Sequence, residues 1–154
     1  MSFRELVRLA AGLGCSLIEV RNDLKTPLFD GLAPEEACAT AHAQGVQITA
    51  VAEVAAFNDG SNRAFDQLCE LADIASRCGA NGVSLIPWLA SGNTLEPISR
   101  EACVEQLSHT FEEFAPVLAK HQLIGFIEPL GFQHASLRFK ADAVAAMDLS
   151  LIHI

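Results

Sequence analysis

The sequence predicts a parallel α/β fold, and three observations carry the prediction. Short apolar runs alternate with amphipathic helical segments along the chain. The connections are mostly short, and a repeated βα unit calls for right-handed crossovers and parallel strands. The third observation is the run Leu123-Ile124-Gly125-Phe126-Ile127, which reads as a fully buried parallel strand and ends in Glu128-Pro129-Leu130-Gly131. Parallel α/β folds keep their chemistry at the carboxyl ends of the strands. A charged group buried there costs free energy unless it is paired or holds a metal. Glu128 is therefore the first candidate site residue.

Each element has its own signals. Ser2 to Gly14 reads as a helix, with capping-box spacing between Ser2 and Glu5 and an apolar stripe of Leu6, Leu9, Ala10 and Leu13. Ser16 to Val20 is a short strand that runs into Arg21-Asn22-Asp23. Pro34-Glu35-Glu36 opens a second helix, with proline in the first turn and acids where the helix dipole favours them, and Gly45 closes it. Val46 to Val51 is the next strand. The loop Phe57-Asn58-Asp59-Gly60 leads to Ser61 as an N-cap. Phe65, Leu68, Leu71, Ile74 and Cys78 then share one helical face, which Gly79 ends.

Gly82 to Ile86 is a strand closed by Pro87-Trp88. Ser99 caps a long helix with Val104, Leu107, Phe111, Phe114 and Leu118 facing inward, and Pro116 predicts a kink or late break in it. Leu123 to Ile127 is the last strand, and Ser136 to Met147 begins one more helix. The order is α-β-α-β-α-β-α-β-α. An open doubly wound sheet and a (β/α)8 barrel both fit it. No glycine-rich phosphate loop follows the first strand, which weakens a dinucleotide-binding reading. Four strands are half of the eight in a closed barrel of ~250 residues. The chain also opens on a helix with no strand before it, so the first strand and the C-terminal half of a barrel are expected to be missing.

Composition bounds the function. The chain has 154 residues, 51% of them hydrophobic, enough for one domain with a sizeable core. Mean hydropathy is +0.29, which suits a buried parallel sheet. No apolar stretch reaches the ~18 residues of a membrane span. Met1 is followed by a polar, helix-starting segment rather than a secretory leader, so a cytoplasmic location is expected. The net charge of −9, with no basic cluster, argues against nucleic acid and anionic membrane as partners. Five scattered cysteines, Cys15, Cys38, Cys69, Cys78 and Cys103, read as small buried hydrophobes in a reducing compartment. The last six residues, Leu149 to Ile154 (LSLIHI), do not continue the preceding helix. They match the in-frame translation of CTGTCTCTTATACACATC, the end of a transposon-based sequencing adapter. Residues 149–154 are therefore set apart as an adapter-derived tail and residues 1–148 as the domain.

At Gly14-Cys15-Ser16-Leu17-Ile18-Glu19-Val20-Arg21, Phe57-Asn58, Ile86-Pro87 and Phe126-Ile127-Glu128-Pro129-Leu130-Gly131, the chain resembles the xylose-isomerase-like TIM barrels of the sugar phosphate isomerase/epimerase superfamily. The resemblance is closest to the 2-keto-myo-inositol (inosose) isomerase branch and covers nearly all of residues 2 to 148. It implies an α/β fold, a partial (β/α)8 TIM barrel of about four parallel strands (second to fifth) with flanking helices. It also implies a divalent metal at the carboxyl end, Mn²⁺, Mg²⁺, Co²⁺ or Zn²⁺. In the superfamily the metal is held by a glutamate on the fifth strand, an aspartate on the sixth, a histidine on the seventh and a glutamate on the eighth. Only the first has a counterpart, Glu128, which becomes a metal-ligand and catalytic candidate. The implied reaction moves a proton between carbons beside a carbonyl through an enediolate.

The other candidates carry plain structural readings beside the functional ones. Arg21 is placed to hold a substrate hydroxyl or phosphate, or to form a salt bridge with Asp23 or a neighbouring strand's acid. Asn58 lines the pocket or makes an Asx-turn. Trp88 offers an aromatic wall to a sugar ring or packs the rim. His134 is a pocket-lining candidate rather than a ligand. Glu19 points into the barrel or toward the helices according to register, and Glu53 reaches the mouth. His42, His109 and His121 face solvent. For Glu128 the plain reading is a buried ion pair.

Four functions are weighed. The first is an isomerase or epimerase acting on a small-molecule sugar or cyclitol. The second is a dehydratase of inosose or dehydroshikimate type on the same fold. An apurinic-site endonuclease is discounted, because the strand ends carry neither a basic face nor early metal-binding histidines. The fourth is a non-catalytic half barrel that self-associates through exposed edges.

Overall fold

A computed structural model of the chain describes residues 1–90 and 99–150. Four parallel strands, β1 (Leu17–Arg21), β2 (Gln47–Ala55), β3 (Gly82–Ile86) and β4 (Ile124–Ile127), form one sheet in the order β1-β2-β3-β4. Five helices flank it: α1 (Phe3–Gly12), α2 (Pro34–His42), α3 (Asn62–Arg77), α4 (Arg100–His121) and α5 (Lys140–Leu149). Strand order follows chain order without the reversal that defines a doubly wound sheet. The architecture is thus a partial (β/α)8 barrel.

Register shows how the sheet uses its two faces. Ile18, Val20, Val51, Val83 and Leu85 are buried against the helices. The alternate positions face what would be the inside of a barrel. They align across the sheet as Glu19, Ala50, Gly82 and Ile124, then Arg21, Ala52, Ser84 and Phe126. Gly82 is required in this layer, because a Cβ there would overlap the Ile124 carbonyl oxygen and the Phe126 ring. At the two edges this inner face is open to solvent.

That opening corrects one expectation. β4 is not fully buried: Ile124 is 45% and Phe126 38% exposed. The run is apolar on both faces, as a barrel strand should be, but here only the helix side is covered.

α1 has the capping box, with the Ser2 N–H on Glu5 at 2.7 Å and the Glu5 N–H on Ser2 Oγ at 3.2 Å. Its inward stripe differs from the predicted one. Phe3, Val7 and Ala10 are buried, whereas Leu9 and Leu13 are 50% and 70% exposed. The rotation is set by tertiary contacts: Phe3 packs edge-on against Phe29 at 5.3 Å, and its N–H donates to Asp30 Oδ2 at 2.7 Å. The cap and inward face of α4 are as predicted, with Ser99 Oγ accepting from the Ala102 N–H at 3.2 Å and all five inward residues buried, but the late break expected at Pro116 does not occur. It runs unbroken past Pro116 to His121. Phe57 stacks on Phe111 at 6.2 Å and joins this helix to the loop after β2.

α5 starts at Lys140 rather than Ser136, because the Ser136 hydroxyl and N–H are taken up by other loops. It includes Leu149 and is capped by Ser150; the rest of the proposed tail, Leu151 to Ile154, lies outside the described residues. Arg100 ties α4 to it through Asp142 at 2.7 Å. Of the cysteines only Cys78 is fully buried, and Cys15 and Cys69 are exposed, so the uniform reading as buried hydrophobes does not hold. No helix among the described residues is long and apolar enough to cross a membrane.

Candidate functional site

The carboxyl ends of the strands carry most of the candidate residues. Glu128 directly follows β4, and its N–H continues the ladder by donating to the Leu85 carbonyl at 3.2 Å. The alternation through Ile124 and Phe126 therefore carries Glu128 to the inner face. Its side chain is exposed and has no hydrogen-bond or ion-pair partner among the described residues. The expected cost of burial does not arise, and neither does a buried ion pair.

Arg21 ends β1 on the same face at the opposite edge. Its Nε and Nη2 donate to the two oxygens of Asp23 at 2.9 and 2.8 Å, and Nη2 also meets Glu53 Oε2 at 3.1 Å. Both salt-bridge partners anticipated for it are present. These bonds raise the Arg21 pKa and hold the Asp23 carboxyl below its usual range. The sheet places Arg21 and Glu128 three strand spacings apart, with Glu128 two residues beyond the row that Arg21 shares with Phe126.

Glu53 lies between them on β2. The β2–β3 register shifts between Ala52 and Val54, which leaves Glu53 as an unmatched, bulged residue. Asn22 takes up its backbone: Nδ2 donates to the Glu53 carbonyl at 3.2 Å and Oδ1 accepts its N–H at 2.7 Å. Burial pushes the Glu53 carboxyl up, Asp23, Glu128 and Glu19 add to the shift, and Arg21 opposes it. Glu19 points into the barrel, where it accepts from Ser84 Oγ at 2.9 Å.

Asn58 works differently from either expectation. Its Oδ1 accepts from the Trp88 N–H at 2.9 Å and from Ser136 Oγ at 2.8 Å. The Asx-turn belongs to its neighbour, where Asp59 Oδ1 accepts the Ser61 N–H at 2.8 Å. The loops after β3 and β4 pair in turn, through Ser136 N–H to the Trp88 carbonyl and Ala90 N–H to the His134 carbonyl, both 2.9 Å. Asn58 thus joins the loops after β2, β3 and β4 into one rim. Trp88 is partly exposed on it. His134 is half-buried, with its ring stacked on Phe132 at 5.6 Å.

The structure brings Asn58, Trp88 and His134 together on this rim and separates Arg21 from Glu128. Sequence reasoning missed the Asn22 clasp and the part played by Ser136. An asparagine just past a strand was the one signal for the first; nothing marked the second.

The donors do not make a metal centre by themselves. Among the described residues no group of three or more His, Cys, Asp or Glu side chains is placed to hold an ion. Glu128 is one carboxylate, short of the several donors such a cation takes.

Sequential parallel strands with helices on one face define part of a TIM-type barrel, with polar side chains at the carboxyl ends of its strands. The chain belongs to the xylose isomerase-like TIM barrel family, whose model matches residues 7–149. Three solved structures show the same fold. A xylose isomerase domain-containing protein from Salmonella typhimurium LT2 is 24% identical, with TM-score 0.85 over 97% of this chain and 53% of that one. The IOLI protein, solved with a bound zinc atom, is 14% identical, with TM-score 0.84 over 99% of this chain and 55% of its own. The 3-keto-D-glucoside 4-epimerase of E. coli is 16% identical, with TM-score 0.76 over 99% of this chain and 60% of its own. The chain therefore spans little more than half the length of these structures. No curated protein matches its sequence.

Proposed function

We propose that this chain is the N-terminal half barrel of an isomerase or epimerase that moves a proton beside the carbonyl of a sugar or cyclitol. One observation carries the reading: Glu128 has no partner among the described residues and stands at the carboxyl end of β4, on the inner face it shares with Glu19, Arg21 and Ser84. A carboxylate in that setting is suited to hold or pass a proton at a substrate carbon. Family membership and the 3-keto-D-glucoside 4-epimerase neighbour support the substrate class. Glu128 would serve as one ligand toward a divalent cation held together with further donors.

The test is solvent-deuterium exchange into 2-keto-myo-inositol and ketohexoses by a longer protein that carries this chain as its first half. Exchange is expected, and Glu128→Gln is expected to abolish it while leaving the thermal transition in place. Exchange that survives Glu128→Gln would make Glu128 structural.

A second reading, for the chain as it stands, is a non-catalytic half barrel that self-associates. It rests on β1 and β4, each with one edge unpaired among the described residues, and on Leu17 and Ile124, exposed on those edges. Sedimentation should show concentration-dependent association that Ile124→Lys reduces. A monomer at all concentrations would end this reading.

A further inference from the structure

We propose that Cys38 and Cys78 form a dithiol that hydrogen peroxide closes into a disulfide, with Cys38 oxidised first and Cys78 resolving it. This is a modification site in the helix layer, apart from the candidate functional site. Cys78 sits in the turn from α3 into β3, at the amino ends of the strands.

Two contacts bring α2 and the end of α3 together at this point. Arg77 grips Glu35 through Nε and Nη2, at 2.7 and 3.2 Å. Cys38 follows Glu35 by three residues and so shares its side of α2, and Cys78 directly follows Arg77. The second contact is made by the Cys38 sulfur itself, which lies 3.2 Å from the position a Cβ on Gly79 would take. Gly79 has φ +72°, where a side chain is strained. The backbone beside Cys78 is therefore bare, and the Cys38 sulfur approaches it closely.

The two sulfurs differ, and the difference sets the order of events. Cys38 is partly exposed, and His42, one helical turn on, holds Nδ1 3.8 Å from its sulfur. A neutral imidazole there takes the thiol proton, and the thiolate is the form that attacks peroxide. Among the described residues no other cysteine has an imidazole within reach of its sulfur. Cys78 is 1% exposed, and its S–H donates to the Ala75 carbonyl at 3.4 Å. Burial pushes its thiol up to about 11, and the neighbouring Cys38 adds to the rise. Cys78 thus stays a thiol until a sulfenic acid forms beside it.

The chemistry balances in two steps. The Cys38 thiolate attacks one peroxide oxygen, the O–O bond breaks, and hydroxide leaves, taking the proton from His42 to become water. The Cys78 sulfur then attacks the sulfur of the Cys38 sulfenic acid. The S–O bond breaks, and the hydroxyl leaves as water with the Cys78 proton. Two thiols and one peroxide give one disulfide and two waters.

The test is equimolar hydrogen peroxide on the reduced 154-residue chain, followed by mass spectrometry of the intact protein and its peptides. A monomer lighter by two hydrogens is expected, with the Cys38 and Cys78 peptides linked. In Cys78→Ala the same treatment should leave a Cys38 sulfenic acid that dimedone traps. His42→Ala should slow the oxidation of Cys38 ~10-fold, less than an active-site base contributes because His42 is exposed. The oxidised protein should melt at a higher temperature than the reduced one, as a crosslink between two helices requires. Peroxide that instead links chains through Cys15 or Cys69, or dimedone that labels the cysteines of Cys78→Ala evenly, overturns the pair. If Cys78→Ala fails to fold, Cys38→Ser serves in its place, and a two-hydrogen loss that survives Cys38→Ser overturns the pair equally.

Discussion

Asn22 holds both backbone groups of Glu53, accepting its N–H at 2.7 Å and donating to its carbonyl at 3.2 Å. The contact replaces the strand ladder at the point where register is lost. Removing it leaves two partly buried backbone groups without partners. Asn22→Ala is expected to destabilise the fold by ~1–3 kcal/mol, the usual cost of unsatisfied polar groups. Urea denaturation measures this. A change within error would mean that water satisfies the bulge equally well.

A second prediction concerns pH. The Glu53 carboxyl lies above its ordinary 4.5 in the folded protein, first through burial and then through neighbouring carboxylates. Between that value and the raised one, the folded state keeps a proton that the unfolded chain has released, so stability falls as pH rises. Below 4.5 both states are protonated and the group contributes nothing. The stability of Glu53→Gln minus wild type should therefore be flat at low pH and climb above pH 4.5. Asp23 acts in the opposite sense and in a lower window. Its stabilisation is present above its ordinary 3.8 and is lost as pH falls through the lowered value. A difference that is flat on both sides of 4.5 would show Glu53 to be solvated.

Asn58 predicts a spectroscopic change. The chain has one tryptophan and no tyrosine, so Trp88 reports on the rim alone. Asn58→Ala removes the acceptor shared by the Trp88 N–H and Ser136 Oγ. Red-shifted Trp88 emission and a loss of ~1–3 kcal/mol are expected. Asn58→Asp keeps the acceptor and should restore the wild-type spectrum. Identical emission from all three proteins would refute the latch.

Gly82→Ala should be among the most damaging single-methyl changes in the chain. The added Cβ meets backbone of β4 as well as the Phe126 ring, and a backbone carbonyl cannot step aside as a side chain can. A loss at or above the ~1–3 kcal/mol typical of overpacking is expected. Calorimetry on Gly82→Ala beside Gly125→Ala, whose Cβ first meets the Leu85 and Leu118 side chains, provides the comparison. Equal losses would mean that β4 shifts freely.

Much of the fold was legible because it is local. The capping box of α1, the Ser99 cap, the inward face of α4 and the span of β3 depend on residues three or four apart, or alternate ones, and all appear as read. The stripe of α1 was misplaced because helical periodicity offers several apolar faces, and Phe29 and Asp30 chose among them from across the chain. β4 looked fully buried because hydropathy records what a strand is able to bury, not whether a neighbour is there to cover it.

The sequence by itself determined the alternation of helices and strands, the parallel pairing that alternation requires, and the place of Glu128 at a strand's carboxyl end. Only the tertiary structure decided what surrounds these groups. The bulge at Glu53, its clasp by Asn22 and the Asn58 latch to Ser136 join residues 31 to 78 positions apart. Propensity and periodicity act over one or two turns of chain, whereas hydrogen bonds across strand ends depend on register and on how each loop returns.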